Sequence, residues 1–191
     1  MPIYLIRHTT PAIATGVCYG QTDVNVSSDF EQDFAALLPL VASQKINKIY
    51  SSPLQRSYKL AEKLSTALNL PLLKDERLKE LNYGLWEMER WENIHPTELN
   101  IWMSNFVNLR TPSGESYIQM HKRVSGFLNS NDLRDSLIIS HSGVMRSILS
   151  SLTKTPLNDA YKKFKFNYNE MFEVDLLKRS CNRLEKTRQL K

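Results

Sequence analysis

Cysteine is nearly absent: the 191 residues contain two, Cys18 and Cys181, far apart and without C-x-x-C or zinc spacing. No disulfide framework or thiolate metal site is expected, and isolated thiols suit a reducing intracellular setting. Glycine is scarce as well, at six residues. Neither G-x-x-x-x-G-K-[ST] nor G-x-G-x-x-G occurs, which counts against a P-loop or a standard dinucleotide site. A G-x-S-x-G elbow is missing too. The four histidines, His8, His95, His121 and His141, show no H-E-x-x-H or Cys/His spacing, so no metal is expected. Long apolar runs are also lacking. The run Ala35 to Ala42 contains Pro39 and falls far short of the roughly 20 residues a spanning helix needs. Pro2 to Ile6 meets Arg7 and His8 before a signal-peptide core could form. These features read as a cytoplasmic protein with no membrane partner.

What is present is an ordinary globular composition, 41% hydrophobic and 24% charged, of a length that suits one domain over residues 1–191. The net charge is +5, and residues 177–191 carry all of it: Lys178, Arg179, Arg183, Lys186, Arg188 and Lys191 against Glu185 alone. A basic face spread over a domain would suggest nucleic acid. A basic terminus reads instead as a solvated tail or a last helix turn, assigned to 178–191, and no nucleic-acid partner is expected.

Strand and helix signals alternate. Ile3 to Ile6 is a short β-forming run of the kind buried on both faces of a sheet. Ser28 and Glu31 have capping-box spacing before a helix with Phe30, Phe34, Leu37, Leu38 and Val41 on one face. Lys48-Ile49-Tyr50 is a second strand. It leads into Ser52-Pro53-Leu54-Gln55, another box signature, and a helix with Leu54, Tyr58, Ala61, Leu64 and Leu68 inward. Ser116 and Gln119 repeat the signature before a helix burying Tyr117, Met120, Val124, Phe127 and Leu128. Leu137-Ile138-Ile139 is a further buried strand, ending at Ser140-His141 ahead of a helix over Val144 to Leu152. Phe172, Val174 and Leu176 alternate with Glu173 and Asp175, as a half-buried edge strand would. The pattern predicts an α/β fold: a three-layer α/β/α sandwich on a mainly parallel sheet.

Open α/β sheets bind ligands beyond the carboxyl ends of their strands. Arg7-His8, Ser51-Ser52 leading to Arg56, and Ser140-His141 all follow expected strands. Two guanidinium forks suit a phosphoryl group. Two imidazoles can act as nucleophile, donor or acid–base group near neutral pH. His121, beside Lys122 and Arg123, reads as a residue of a solvated helix face, and His95, before Pro96, as a loop residue.

The order of these pieces resembles the histidine phosphatase superfamily, which includes the cofactor-dependent phosphoglycerate mutases. Leu5-Ile6-Arg7-His8-Thr9-Thr10 is similar to its R-H-G/T signature, and Tyr50 to Arg56 to its second arginine segment. Leu78 to Gly84 resembles its E-x-x-[YF]-G segment, Thr111 to Ser116 its P-x-G-E-S loop, and Ile139 to Arg146 its second histidine segment. The resemblance implies a metal-independent and cofactor-free phosphomonoesterase acting on a small-molecule phosphate monoester. His8 would be the nucleophile. Arg7, Arg56 and His141 would cradle the phosphoryl oxygens, with Ser142 beside them in the substrate site. Glu80 would be the acid–base group, with Glu115 the next candidate.

Thr9 stands where many members have glycine, as does Met88 after Trp86-Glu87. A mutase-like asparagine is not matched near Gly16, and the chain is short of the large mutase insertions, so a phosphatase is expected. Cys18-Tyr19-Gly20-Gln21-Thr22-Asp23 resembles the α-ribazole phosphatase branch, which removes the 5′-phosphate from α-ribazole phosphate in cobalamin nucleotide-loop assembly. That resemblance would put Tyr19, Gly20 and Gln21 against the substrate. The alternatives are a phosphoglycerate mutase-like or broad-specificity sugar phosphatase, or a catalytically silent phosphate-binding module. Residues 85–111 hold all three tryptophans and would form a small cap insertion. Trp102 is expected to pack inward, while Trp86 and Trp91 could either pack or stack on a heteroaromatic leaving group.

Overall fold

The computed structural model describes residues 2–185. Ile3–Arg7 forms strand β1, buried as expected of its unbroken apolar run. Its residues divide by parity: Ile3 and Leu5 join one hydrophobic layer, and Tyr4 and Ile6 the other. The same division separates Ile138 from Leu137 and Ile139 in β4 (Ser136–Ser140). Period-two alternation between two apolar layers is what a sheet covered on both faces requires.

The first layer is closed by helices α4 (Tyr117–Ser130) and α5 (Ser142–Thr153), through Met120, Val124, Phe127, Val144 and Ile148. The second is closed by α1 (Phe30–Ala42) and α2 (Gln55–Leu68), through Leu37, Val41, Leu60, Ala61 and Leu64. Each such side chain contributes about 1.5–3 kcal/mol by leaving water. The remaining strands and α-helices are β2 (Lys48–Ser51), β3 (Leu72–Lys74), α3 (Pro96–Ser104), α6 (Leu157–Lys163), β5 (Met171–Asp175) and β6 (Ser180–Leu184).

The sheet runs β3-β2-β4-β1-β5-β6. β3, β2, β4 and β1 are parallel; β5 is antiparallel to β1, and β6 to β5. This is the α/β sandwich on a mainly parallel sheet. Two expectations near the C-terminus are corrected. β5 is an inner strand, because β6 hydrogen-bonds along its far side. The basic segment from 178 is not simply a solvated tail: Ser180–Leu184 is that strand, with Cys181 and Leu184 against the core and Arg183 paired with Glu170 at 2.7 Å. The expected tail beyond Glu185 lies outside the described residues.

Local signals fared unevenly. The Ser116–Gln119 capping box forms in both directions. The Ser28–Glu31 box does not: α1 begins one residue beyond Asp29 with no side-chain cap. Nor does Ser52 cap α2 through the expected box; its hydroxyl approaches the Leu54 amide at 3.3 Å and the His141 ring at 2.8 Å. His95 is more than a loop residue, since its Nδ1 accepts the Thr97 amide at the start of α3. His121 is not on a purely solvated face: its Nδ1 lies 2.9 Å from Ser147 Oγ of α5. Met88 has φ +70°, the left-handed backbone that glycine adopts without strain, which accounts for the glycine common there in the resembling family.

Candidate active site

The parallel pairing of β1 with β4 sets Arg7 opposite Ser140. The next residues, His8 and His141, therefore leave the sheet side by side, and the His8 amide donates to the Ser140 carbonyl at 2.9 Å. Their ring centroids are 5.0 Å apart, and both side chains are buried. His8 Nδ1 lies 2.7 Å from the Thr9 carbonyl. A ring nitrogen facing a carbonyl carries the proton, which leaves Nε2 with a free lone pair. Burial, then the charge of Arg56, hold the His8 ring well below the usual imidazole range, with Arg7 adding to the effect and the Thr9 carbonyl opposing it. His8 is thus a neutral ring whose Nε2 is free to act as a nucleophile. His141 is pushed down by burial first, then by Arg56 and His8.

Arg56 is fully buried on α2. Its Nη2 donates to Gly20 O at 2.6 Å and its Nη1 to Thr22 O at 2.9 Å. Arg7 Nη1 donates to Phe166 O at 2.8 Å. Arg7 Nε, Arg56 Nε and His141 Nδ1 are buried without a protein partner. Leaving a buried donor unpaired costs about 1–3 kcal/mol, and more when it is charged. Among the described residues neither arginine forms an ion pair with a carboxylate. The two guanidinium N–H groups, joined by His141 Nδ1–H when His141 Nε2 accepts from the Ser52 hydroxyl, fit an oxyanion. Among the described residues no cluster of three His, Cys, Asp or Glu side chains suits a metal ion.

Glu80 sits against the first turn of α5. Its Oε2 accepts the Gly143 amide at 3.2 Å and its Oε1 the Leu81 amide at 3.1 Å. A Cβ at position 143 would lie 2.3 Å from Glu80 Oε1, so only glycine admits the carboxylate there. Glu115, the other candidate acid, is bound instead to Arg123 at 2.6 Å and to the Asn82 amide at 3.0 Å. Arg123 also donates to the carbonyls of Arg77, Lys79 and Glu80, so this pair is the brace that fixes the Glu80 segment.

The 18–23 loop holds the arginine and the acid from behind. Gly20 gives its carbonyl to Arg56 and has φ +36°, with a Cβ there falling 2.3 Å from Glu87 Oε1. Gln21 donates from Nε2 to the Glu80 carbonyl at 3.0 Å. Tyr19 lies over Arg56, its ring centroid 4.8 Å from the guanidinium carbon. Ser142 accepts from Arg146 Nη1 at 3.3 Å and lines a cleft of 470 Å³ that opens beside Glu80 and Gly143. Trp91, Trp102, Phe106, Tyr117 and Tyr161 supply its aromatic lining, with Arg146 and Lys162 as its cations. Trp86 is buried against Cys18 and Ile94, while Trp91 and Trp102 stack with centroids 6.4 Å apart. Four participants lie outside the sequence expectations: Tyr168, 5.3 Å from the His8 ring; Glu87, which accepts from Gln21, Thr22 and Tyr83; Arg123; and Arg146. Only Arg146 lay within a motif segment that could have pointed to it.

The histidine environments dictate a pH dependence of stability. An unfolded imidazole takes up a proton below about pH 6.5, whereas His8, His141 and, through burial, His121 resist it when folded. The unfolded state then binds more protons, so stability falls as pH drops below about 6.5. The loss is about 1.4 kcal/mol per pH unit each for the buried His8 and His141 until their lowered folded pKa is reached, and less for the half-exposed His121. Urea unfolding at pH 7.5, 6.5 and 5.5 checks this. A flat profile would contradict the burial of neutral rings.

A mainly parallel sheet ending in two buried histidines and in one buried and one half-buried arginine, with an acid at the next helix, defines an α/β enzyme that handles phosphate. The chain belongs to the histidine phosphatase superfamily (branch 1), whose family model matches residues 3–184. It is 26% identical over 164 residues to Phosphoserine phosphatase 1 of Hydrogenobacter thermophilus, covering 82% of this chain and 78% of that one. It is 30% identical over 165 residues to the Probable phosphoglycerate mutase GpmB of Yersinia enterocolitica, covering 82% and 76%. Its fold matches the alpha-ribazole phosphatase from Shigella flexneri with a TM-score of 0.84 at 20% identity, over 96% of this chain and 95% of that one. The family and its phosphatase-named members support a phosphatase acting on small phosphate substrates. Among the described residues no helix is long and apolar enough to cross a membrane.

Proposed function

We propose that the chain is a metal-independent phosphomonoesterase working through a phosphohistidine at His8, and that its substrate is α-ribazole 5′-phosphate. The observation that carries the chemistry is the free Nε2 of His8 beside three buried nitrogens that have no protein partner, Arg7 Nε, Arg56 Nε and His141 Nδ1. Nε2 attacks phosphorus as the ester P–O bond breaks. Arg7, Arg56 and His141 hold the phosphoryl oxygens and the charge that gathers on them. Glu80, at the mouth of the aromatic cleft, delivers a proton to the departing alkoxide. A water then attacks the phosphohistidine, losing its proton to Glu80, and inorganic phosphate leaves with His8 restored. No step calls for a metal, because side-chain cations match the phosphate charge.

The substrate reading rests on the 18–23 loop and on the cleft. Its stacked, largely apolar lining suits a flat heteroaromatic leaving group. Arg146 and Lys162 in the same wall favour a second reading, a small leaving group with its own anion, as in phosphoserine or phosphoglycerate. A phosphate-release panel in the presence of a strong chelator separates these readings. It would contain α-ribazole phosphate, phosphoserine, 3-phosphoglycerate, a fructose bisphosphate and an aryl phosphate. The highest kcat/KM is expected for α-ribazole phosphate. A preference for the carboxylate-bearing esters would overturn the substrate, rescue by one divalent metal would overturn the metal-free mechanism, and no release from any ester would leave a silent binding module.

A further inference from the structure

Tyr19 and Tyr168 face each other beside the phosphate pocket, and each lies over a different arginine. The Tyr168 ring lies 3.8 Å from the Arg7 guanidinium carbon, and the Tyr19 ring 4.8 Å from that of Arg56. The two hydroxyls are 2.9 Å apart. Neither tyrosine shares an element with the arginine it covers: Tyr19 is in the loop after β1, whereas Arg56 is on α2, and Tyr168 is in the loop before β5, whereas Arg7 ends β1. Both outer nitrogens of Arg56 and Nη1 of Arg7 are pinned to backbone carbonyls, and both Nε atoms remain unpartnered. Tethered through one outer nitrogen in Arg7 and two in Arg56, and with a face covered, each fork keeps little freedom to turn. The hydroxyl bond then joins the two covers, so the separation of the arginines is set by the tyrosine pair as well as by the sheet.

We propose that Tyr19 and Tyr168 form a positioning unit that holds the Arg7 and Arg56 forks at the spacing required by the transferring phosphoryl group rather than by a bound phosphate ester. The proposal rests on phosphoryl transfer to His8. In that transfer the three equatorial oxygens spread as the attacking and leaving atoms line up. Fixed donors matched to that shape lower the barrier, whereas donors free to follow the ground state bind substrate without accelerating it.

The test uses Tyr19→Phe, Tyr168→Phe and the double variant, which keep both ring stacks and remove only the hydroxyl bond, with Tyr168→Leu to remove one stack. Inhibition by orthovanadate, a trigonal-bipyramidal mimic, is compared with inhibition by inorganic phosphate, alongside kcat, KM and Tm. Each Phe variant should lose about 10-fold in kcat and in vanadate affinity, the order of one hydrogen bond's worth, with KM and phosphate inhibition within about 2-fold of the parent. The double variant should be no worse than either single, since both remove the same bond. Tyr168→Leu should lose about 100-fold, as expected for a misplaced catalytic group.

Additive losses, unchanged vanadate affinity, or losses that track Tm alone would overturn the proposal and leave a loop tie. Failure of the underlying reading is distinguishable: it would show as no alkali-stable phosphohistidine on the parent protein during turnover.

Discussion

His8→Ala should abolish turnover of every phosphate ester, with a loss of at least about 10⁴-fold. The expectation follows from the free lone pair on His8 Nε2. Thr9 fixes the ring proton on Nδ1, burial and the neighbouring guanidinium groups keep the ring neutral, and alanine supplies no replacement. Arg7, Arg56 and His141 remain in the variant, so inorganic phosphate should still protect it against thermal unfolding. That pairing of results, binding without turnover, separates a lost nucleophile from a collapsed site. The direct check is radiolabelled phosphate retained on the protein after an alkaline quench, present for the parent and missing for the variant. Label retained on His8→Ala would place the covalent intermediate elsewhere.

Glu80→Gln should slow phosphoenzyme formation by about 10²–10⁴-fold for an alkyl ester, and far less for an aryl phosphate. The ribose alkoxide of α-ribazole phosphate is a poor leaving group and needs the proton, whereas a nitrophenolate departs without it. The substitution is not silent structurally. Both carboxylate oxygens accept backbone amides, from Leu81 and Gly143, and a glutamine offers one oxygen and one NH₂. One amide then faces a donor, at a cost of about 1–3 kcal/mol, so a lower Tm is expected. Misplacement of that kind slows both esters together, whereas loss of the proton slows only the alkyl ester. Single-turnover rates are the right measurement, because in the proposed mechanism hydrolysis of the shared intermediate also draws on Glu80 and would slow both esters. Equal slowing of the transfer step would remove Glu80 as the acid. Glu115 would be a poor successor, held as it is by Arg123.

The elements and the two histidines were legible because their signals are local. Ile3 to Ile6 and Leu137 to Ile139 are apolar runs followed at once by Arg7-His8 and Ser140-His141, and strand order does the rest. Alternation at Phe172 and Val174 correctly reported a strand, yet it describes a strand's faces and says nothing of its edges, so β6 went unseen behind polar, basic residues. β3 has three residues, too few to show a period. The capping boxes show the limit of local spacing: the Ser116 box formed, whereas Ser52 had a competing partner in His141, 89 positions away. Tyr168, Glu87 and Arg123 take much of their importance from distant partners. These are Tyr19 for Tyr168, Gln21 and Thr22 for Glu87, and the carbonyls of Arg77, Lys79 and Glu80 for Arg123, which no short window contains.

The position of β1 has a consequence for how the protein is made. Its ladder partners are β4 and β5, and both lie far toward the other end of the chain, with Ile3 paired to Ser136 and Val174. During synthesis the strand that carries His8 emerges first and stays unpaired until those partners follow, a wait on the order of 10 s at usual elongation rates. β2 can meet β3 and α2 early, but the nascent chain has no phosphate pocket until Ser136–Ser140 inserts between β1 and β2. A ribosome-bound fragment ending before residue 136 therefore exposes an apolar strand and no catalytic centre, and the arrival of β4 supplies the neighbour that both flanking strands lack.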